Sequence, residues 1–280
     1  MGNRLTIARL SLVALALLGM ASCDNKPKTE KTKSGDKPLT VAPLGFAKAD
    51  ADAEVRLTLP EAIRAHPELH TQLYTTGERK LKEFVTSAHT ARTDQAAEGI
   101  EVPTYFHSIN WKIAAQNPRL LSLYAEEDDF QGGAHPNSTF EALLWDKSSK
   151  ELINTARLFT TGADLTAANA YVCQQIEIER SRRVGEPTTQ AASGFTCPKL
   201  ADSRLILIPS TVNGKFGAID VLFAPYEVAP YAEGPYVIRV PQSVVRGQLN
   251  PEFADQFAGE AAKEAPPVAS ESAAEAAPEE

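Results

Sequence analysis

The stretch TYFHSINWKIA, Thr104 to Ala114, decides how the rest of the chain is read. Tyr105, His107, Ile109, Trp111 and Ile113 fall on alternate positions, the period of a strand with one buried face. Apolar-aromatic runs follow at Arg119 to Phe130 and at Thr139 to Asp146, and DKSSKE turns the chain toward a further run, Leu152 to Phe159. Upstream, Val55, Leu57 and Leu59 alternate in Glu54 to Leu59. Pro60 and Pro67 each suit a first helical position, where no N–H is needed. Pro67 to about Gln95 then reads as one long helix or two joined, with Leu69, Leu73, Leu81, Phe84 and Val85 as its stripe and Gly77 as its weak point. Asp164 to Arg183 is helical, with apolar residues three and four apart. Leu205 to Ile208, Gly217 to Phe223 and Tyr236 to Val240 are strands, the first two joined by a loop holding Asn213-Gly214. Short loops between consecutive strands point to antiparallel pairing, and helices fall between blocks of strands. The expectation is an α+β fold: an antiparallel sheet with helices packed on one side, a single compact domain built from two sequence halves, about 51–160 and 161–258.

The N-terminus carries a different message. Arg4 and Arg9 precede the apolar run Leu10 to Met20, and small residues follow, the plan of a secretory signal peptide. The run is too short to span a bilayer, which takes about 20 residues. Met20-Ala21-Ser22-Cys23 resembles the bacterial lipobox. The resemblance implies cleavage after residue 22 and acylation of Cys23, hence a membrane anchor of several chains. Asp24 resembles an inner-membrane retention signal, so the expected location is the periplasmic face of the inner or outer membrane, leaning to the inner. Residues 23–50 then form an acylated cysteine and a flexible linker with six lysines and four acids. Residues 259–280, almost only Ala, Glu, Pro and Ser, read as a disordered acidic tail.

Composition excludes some functions. The chain has a net charge of −8, and without Arg4 and Arg9 the mature form carries 26 bases against 36 acids, a net of −10. Nucleic acid is not an expected partner. Beyond Cys23 there are two cysteines, Cys173 and Cys197. In an exported chain the even pair reads as one disulfide.

Two motifs stand out. One is Gln131-Gly132-Gly133-Ala134-His135-Pro136-Asn137 between strands. The other lies within Phe223 to Pro241, as Tyr226-Glu227-Val228-Ala229-Pro230-Tyr231 with Gly234. Together, and with the helix opening His66-Pro67-Glu68-Leu69, they resemble a bacterial envelope domain family. It includes the extracellular domain of the lysozyme-sensing anti-sigma factor RsiV and the N-terminal domain of PdaC-type polysaccharide deacetylases. The resemblance spans most of Val55 to Leu249. It implies an exported sensor or binding module, with lysozyme or a peptidoglycan fragment as candidate partner. The deacetylases' separate catalytic domain and the anti-sigma factor's sigma-binding part have no counterpart in this sequence.

The chemistry points the same way. Gly132 and Gly133 permit positive φ and Pro136 stiffens the loop, so His135 sits in a shaped turn or faces a ligand. Tyr226, Glu227, Tyr231 and Gly234, like Gly132, Gly133, His135 and Asn137, are candidate binding or architectural residues; the two loops side by side would shape one groove. Strand alternation sends Asp128 and Asp129 to opposite faces. His66 and His70 lack the H-E-x-x-H order of a zinc protease; with His89 and His107 they are expected at the surface. No nucleophile elbow, phosphate loop or dinucleotide fingerprint is present. The reading is therefore non-enzymatic, without metal or cofactor. The alternatives are a wall-carbohydrate hydrolase using Glu227 with Asp128 or Asp129 as a carboxylate pair, or a structural envelope lipoprotein without a ligand.

Overall fold

The computed structural model describes residues 42–101 and 103–263 of the 280-residue chain. The signal peptide, Cys23, Asp24, most of the linker and most of the acidic tail lie outside the described residues. Nine strands form two open sheets. The first holds β1 (Gly45–Ala49), β2 (Ala53–Thr58), β3 (Tyr105–Gln116), β4 (Leu120–Phe130), β5 (Asn137–Asp146) and β6 (Glu151–Ile153) in that order. The second holds β7 (Arg204–Pro209), β8 (Phe216–Phe223) and β9 (Tyr236–Pro241). Helix α1 (Pro67–Ala97) joins β2 to β3, and α2 (Thr166–Val184) precedes β7. The fold is α+β, and the two sequence halves build one sheet and one long helix each.

All pairings are antiparallel except β2 with β3, which run parallel because α1 carries the chain back across the sheet. Pro67 occupies the first turn of α1, after His66 as cap. Leu69, Leu73, Leu81, Phe84, Val85 and Ala88 form its buried stripe. They meet Val55, Leu57, Ile109, Trp111, Leu121 and Leu123 from the sheet. At about 1.5–3 kcal/mol for each fully buried large side chain, this face holds helix and sheet together. Gly77 does not weaken the helix: it is buried, and a Cβ there would lie 2.9 Å from both Leu57 methyls. Glycine lets α1 approach β2.

The opposite face of the first sheet, at Ala114, Tyr124 and Phe140, packs on Ile206, Ile208, Ala218 and Leu222 of the second. A shift of register between Ile113 and Ala115 moves the alternation of β3 by one place and brings Ala114 to that face. Helix α2 covers the outer face of the second sheet, with Val172 and Ile176 against Leu207, Ile219 and Val221. Each helix thus covers one face of its own sheet. Cys173 and Cys197 are bonded, closing 24 residues, with their Cα atoms 5.2 Å apart.

Three boundaries are corrected. Gly45–Ala49, expected within the flexible linker, is an edge strand paired with β2, and Leu44 and Phe46 pack against the α1 core. Of Leu152 to Phe159, only Leu152 and Ile153 are strand, as the end of Glu151–Ile153; Thr155–Leu158 is a 3-10 turn capped by the Asn154 side chain. The stretch from Gly259, expected in the disordered tail, first docks: Thr211 N–H donates to Glu260 O at 2.8 Å and Ala262 N–H to Pro209 O at 2.8 Å. Among the described residues no helix is long and apolar enough to cross a membrane.

The docked strap depends on a glycine. A Cβ on Gly217 would stand 2.2 Å from the carbonyl oxygen of Glu260. Gly217→Ala should therefore displace the segment around Glu260, at a cost of about 1–3 kcal/mol. Amide hydrogen exchange should rise first at Thr211 and Ala262, with the β3–β4 amides unchanged.

Candidate functional site

The loop between β4 and β5 and the loop between β8 and β9 lie against each other, so the two sequence motifs meet. Gly132 and Gly133, at φ 90° and 114°, turn the first loop back on itself. His135 stacks on Tyr231, ring centroids 3.8 Å apart and planes 20° apart. Its Nδ1 lies 2.8 Å from Pro136 O. A carbonyl only accepts, so Nδ1 carries the proton, and in the neutral ring Nε2 accepts from the Tyr226 hydroxyl at 3.3 Å. Tyr231 donates its own hydroxyl to Pro136 O at 2.9 Å. Burial, then the nearby charge of Asp128, pushes the Tyr231 phenol above its ordinary range, so it stays a donor.

Tyr226 completes the group, 5.4 Å from Tyr231 by centroid. It is 58% exposed and has φ 72°, a left-handed conformation rare for a tyrosine. Its turn is closed by Tyr226 N–H to Ala229 O at 3.1 Å and Glu227 N–H to Ala224 O at 3.2 Å. Glu227 does not reach for the neighbouring loop. One carboxylate oxygen accepts from Ala224 N–H at 3.0 Å and the other from Arg204 at 2.6 Å. Both oxygens are thus engaged in holding the turn. Asp128 accepts from Ser138 Oγ at 2.5 Å. Asp129 accepts from Gln131 at 3.2 Å and Asn137 at 3.3 Å, so Asn137 braces the first loop. Gly234, φ 69°, ends the short turn Tyr231–Glu233.

Beneath the second loop lies a buried base. Arg180 of α2 is 3% exposed. It donates to the two Glu233 oxygens at 3.1 and 2.8 Å, to Gln190 at 3.0 Å and to Ser193 Oγ. Gln190 in turn donates to Val228 O at 3.0 Å, and Tyr236 donates to Glu233. The Arg183 guanidinium lies over the Tyr236 ring at 3.8 Å.

The histidines outside this corner correct an expectation. His89 is exposed, as expected, and bonds Asp52 at 2.6 Å. His70 and His107 are buried. His70 Nε2 bonds Pro43 O at 2.9 Å, fixing the chain that leads into β1. His107 Nε2 lies 3.4 Å from Glu127, whose carboxylate also takes Lys80 at 2.5 Å. This polar group under α1 was missed in the sequence. The signal was the parity of two strands. His107 continues the buried series Tyr105, Ile109, Trp111, and Glu127 continues Leu121, Leu123, Ala125. Among the described residues no cluster of three or more His, Cys, Asp or Glu could hold a metal ion.

Arg180 donation, helped by Tyr236, holds the Glu233 carboxyl below its ordinary range despite burial. Its contribution to stability is complete above the unfolded value, about 4.3, and is lost as pH falls through the lower folded value. Arg180→Ala should cost about 3 kcal/mol or more by leaving Glu233 unpaired. In urea titrations at several pH values it should also flatten the loss of stability below about pH 4.

Residues 47–138 match the model of the family described as deacetylase PdaC. No curated protein matches this chain significantly. Among solved structures, a DUF3298-family member from Bacteroides fragilis superposes with TM-score 0.51 at 14% identity, over 76% of this chain and 95% of that one. A DUF3298-family protein from Pseudomonas aeruginosa gives TM-score 0.49 at 17% identity, over 79% and 99%. Residues 47–138 are thus similar to the PdaC family model, and the described body shares its α+β fold with the first of these DUF3298 members, a family of unknown function.

Proposed function

We propose that this chain is a lipid-anchored binding or sensor module of the cell envelope, tethered through acyl chains on Cys23 at the periplasmic face of a membrane. Its recognition surface is the aromatic corner of His135, Tyr226 and Tyr231. The observation that carries this reading is Tyr226, exposed and held at φ 72°. A left-handed non-glycine residue costs about 1–2 kcal/mol. A surface tyrosine without a task gives no return for that cost, whereas strain at a recognition site is a known expense of preorganisation. Tyrosine offers a large amphipathic contact at small entropic loss, and hydrogen bonds to His135 and Pro136 set the rings before a partner arrives.

The acid beside the corner, Asp128, favours a basic partner among the envelope candidates. That selects lysozyme, a basic protein, ahead of a peptidoglycan fragment. The leader, the lipobox-like Met20-Ala21-Ser22-Cys23 and Asp24 support export and retention at the inner membrane.

Two measurements test the reading. The full precursor expressed in a bacterial host should take up labelled palmitate, and Cys23→Ser should abolish the label. For the corner, Tyr226→Gly should relieve the strained φ and raise stability by up to about 1 kcal/mol. The same change should weaken lysozyme binding at least tenfold, about 1.4 kcal/mol, in calorimetry. A variant that is more stable and still binds as before removes the corner from the recognition role.

A further inference from the structure

The segment from Gly185 to Lys199 leads from α2 to the short turn before β7, and little of it is buried. Gln190 is its one buried residue, and none of its apolar side chains belongs to a core cluster. A segment with so little burial opens at low free energy unless something else holds it. Three other ties are present. Thr188 N–H donates to Ser181 Oγ at 2.9 Å, and Gln190 N–H to Glu177 at 2.9 Å. Gln190 and Ser193 accept from Arg180, whose guanidinium also lies over the Phe195 ring at 5.3 Å. The third tie is covalent, from Cys197 to Cys173 of α2.

The same segment supports the second motif loop. Gln190 Nε2 donates to Val228 O at 3.0 Å, inside the turn that runs from Tyr226 to Ala229. Arg180, which Gln190 and Ser193 meet, bonds Glu233 in the turn that Tyr231 begins. The two ends of the disulfide are unequal. Cys173 is 8% exposed, whereas Cys197 lies open to solvent. An incoming thiolate therefore has one sulfur within easy reach. We propose that the bond between Cys173 and Cys197 is a redox switch for the aromatic corner. A protein dithiol opens it at Cys197, the 185–199 segment loosens, and the β8–β9 loop loses the support of Gln190. Control of recognition by this route rests on the function proposed above; the coupling of disulfide to corner does not.

In the first step a thiolate of the dithiol bonds to Cys197 Sγ, and the Cys173 sulfur leaves as a thiolate that takes up a proton. The second thiol of the reductant, deprotonated, then attacks its own mixed disulfide and releases the Cys197 thiolate, which is protonated in turn. The dithiol is oxidised to a disulfide, and its two electrons reduce the cystine to two thiols. The sheets keep their packing through this exchange, because both ends of the segment are anchored without the bond. Val172 and Ile176 of α2 stay in the core on one side. On the other, Leu200 is buried and its N–H donates to the Asn169 side chain at 2.9 Å. Opening is local, between two fixed ends.

The test uses the full chain, labelled with ¹⁵N, before and after reduction with dithiothreitol. Amide exchange at Gln190, Phe195 and Tyr226 should quicken about tenfold or more, while the β3–β4 amides exchange as before. Cys173→Ser combined with Cys197→Ser should reproduce the reduced pattern without reductant. Thioredoxin whose resolving cysteine is replaced by serine should be trapped as a mixed disulfide, and peptide mapping should place it on Cys197. An unchanged Tyr226 amide after reduction, quickened exchange throughout β3 and β4, or the absence of a mixed disulfide at Cys197 overturns the proposal. Lysozyme affinity, measured on the double-serine variant without reductant, should fall about threefold or more as the ordered corner becomes less populated. A loosened corner with unchanged lysozyme affinity upholds the switch and removes the corner from recognition, so the two failures are told apart.

Discussion

A guanidinium buried to 3% exposure cannot stand alone. Arg180 has to find anions and acceptors inside the domain, and it finds them on two segments that carry no regular structure of their own. Glu233 belongs to the β8–β9 loop; Gln190 and Ser193 belong to the stretch between α2 and the disulfide. Breaking such a pair by removing one partner costs about 3–5 kcal/mol, more than any single contact at the loop surface. The geometry of Tyr231 and Tyr226 therefore follows from α2. The helix sets Arg180, Arg180 sets Glu233, and the short turn Tyr231–Glu233 places the ring on which His135 stacks. The bond between Cys173 and Cys197 ties the intervening loop back to the same helix and removes chain entropy worth about 3 kcal/mol from the unfolded state.

How much of this was legible in the sequence depended on periodicity. Strands β2 and β3 were readable because alternate residues face a core, β4, β5, β7, β8 and β9 because they are short apolar runs bounded by turns, and α1 because its leucines recur on one face. What escaped lacks a period. Gly45–Ala49 has one half-buried side chain, and its pairing with β2 is made by backbone groups alone. The docking of Gly259 to Ala262 likewise rests on backbone hydrogen bonds and on the missing Cβ of Gly217. Nothing in an alanine- and glutamate-rich string announces a partner of that kind. The parallel pairing of β2 with β3 was hidden for another reason. It is a property of the long crossover through α1, while short loops elsewhere argued for antiparallel order.

The histidines show where parity outranks residue type. His107 was placed on the alternating face of β3 and yet assigned to the surface, because histidine is more often exposed than buried. The face decides instead. A residue between Tyr105 and Ile109 on that face goes under α1, and its polarity must then be met by something equally buried. Glu127 meets it, and Lys80 reaches down from the helix to meet Glu127. Similar reasoning applies to Glu141, whose strand position opposite Ala125 brings it to the same face beside Glu127.

Persistence of the strained turn at Tyr226 is a balance of small terms. Left-handed geometry opposes it by about 1–2 kcal/mol. Two backbone hydrogen bonds close the turn, and the Glu227 carboxylate adds one bond to Ala224 N–H and one to Arg204. Net contributions run near 1 kcal/mol for a neutral bond and about 1.5–3 for one to a charged group. Together these exceed the strain, so the conformation is over-determined and does not rely on the Tyr226 ring. The ring is then free to project from the surface, and its hydroxyl adds only the 3.3 Å contact to His135. Glu227 is for this reason tied to the backbone: a carboxylate that left Ala224 and Arg204 to act on a sugar would release the turn that presents the tyrosine. In this structure both Glu227 oxygens hold the turn that carries Tyr226, so the position of that ring is set by the carboxylate rather than by the ring's own contacts.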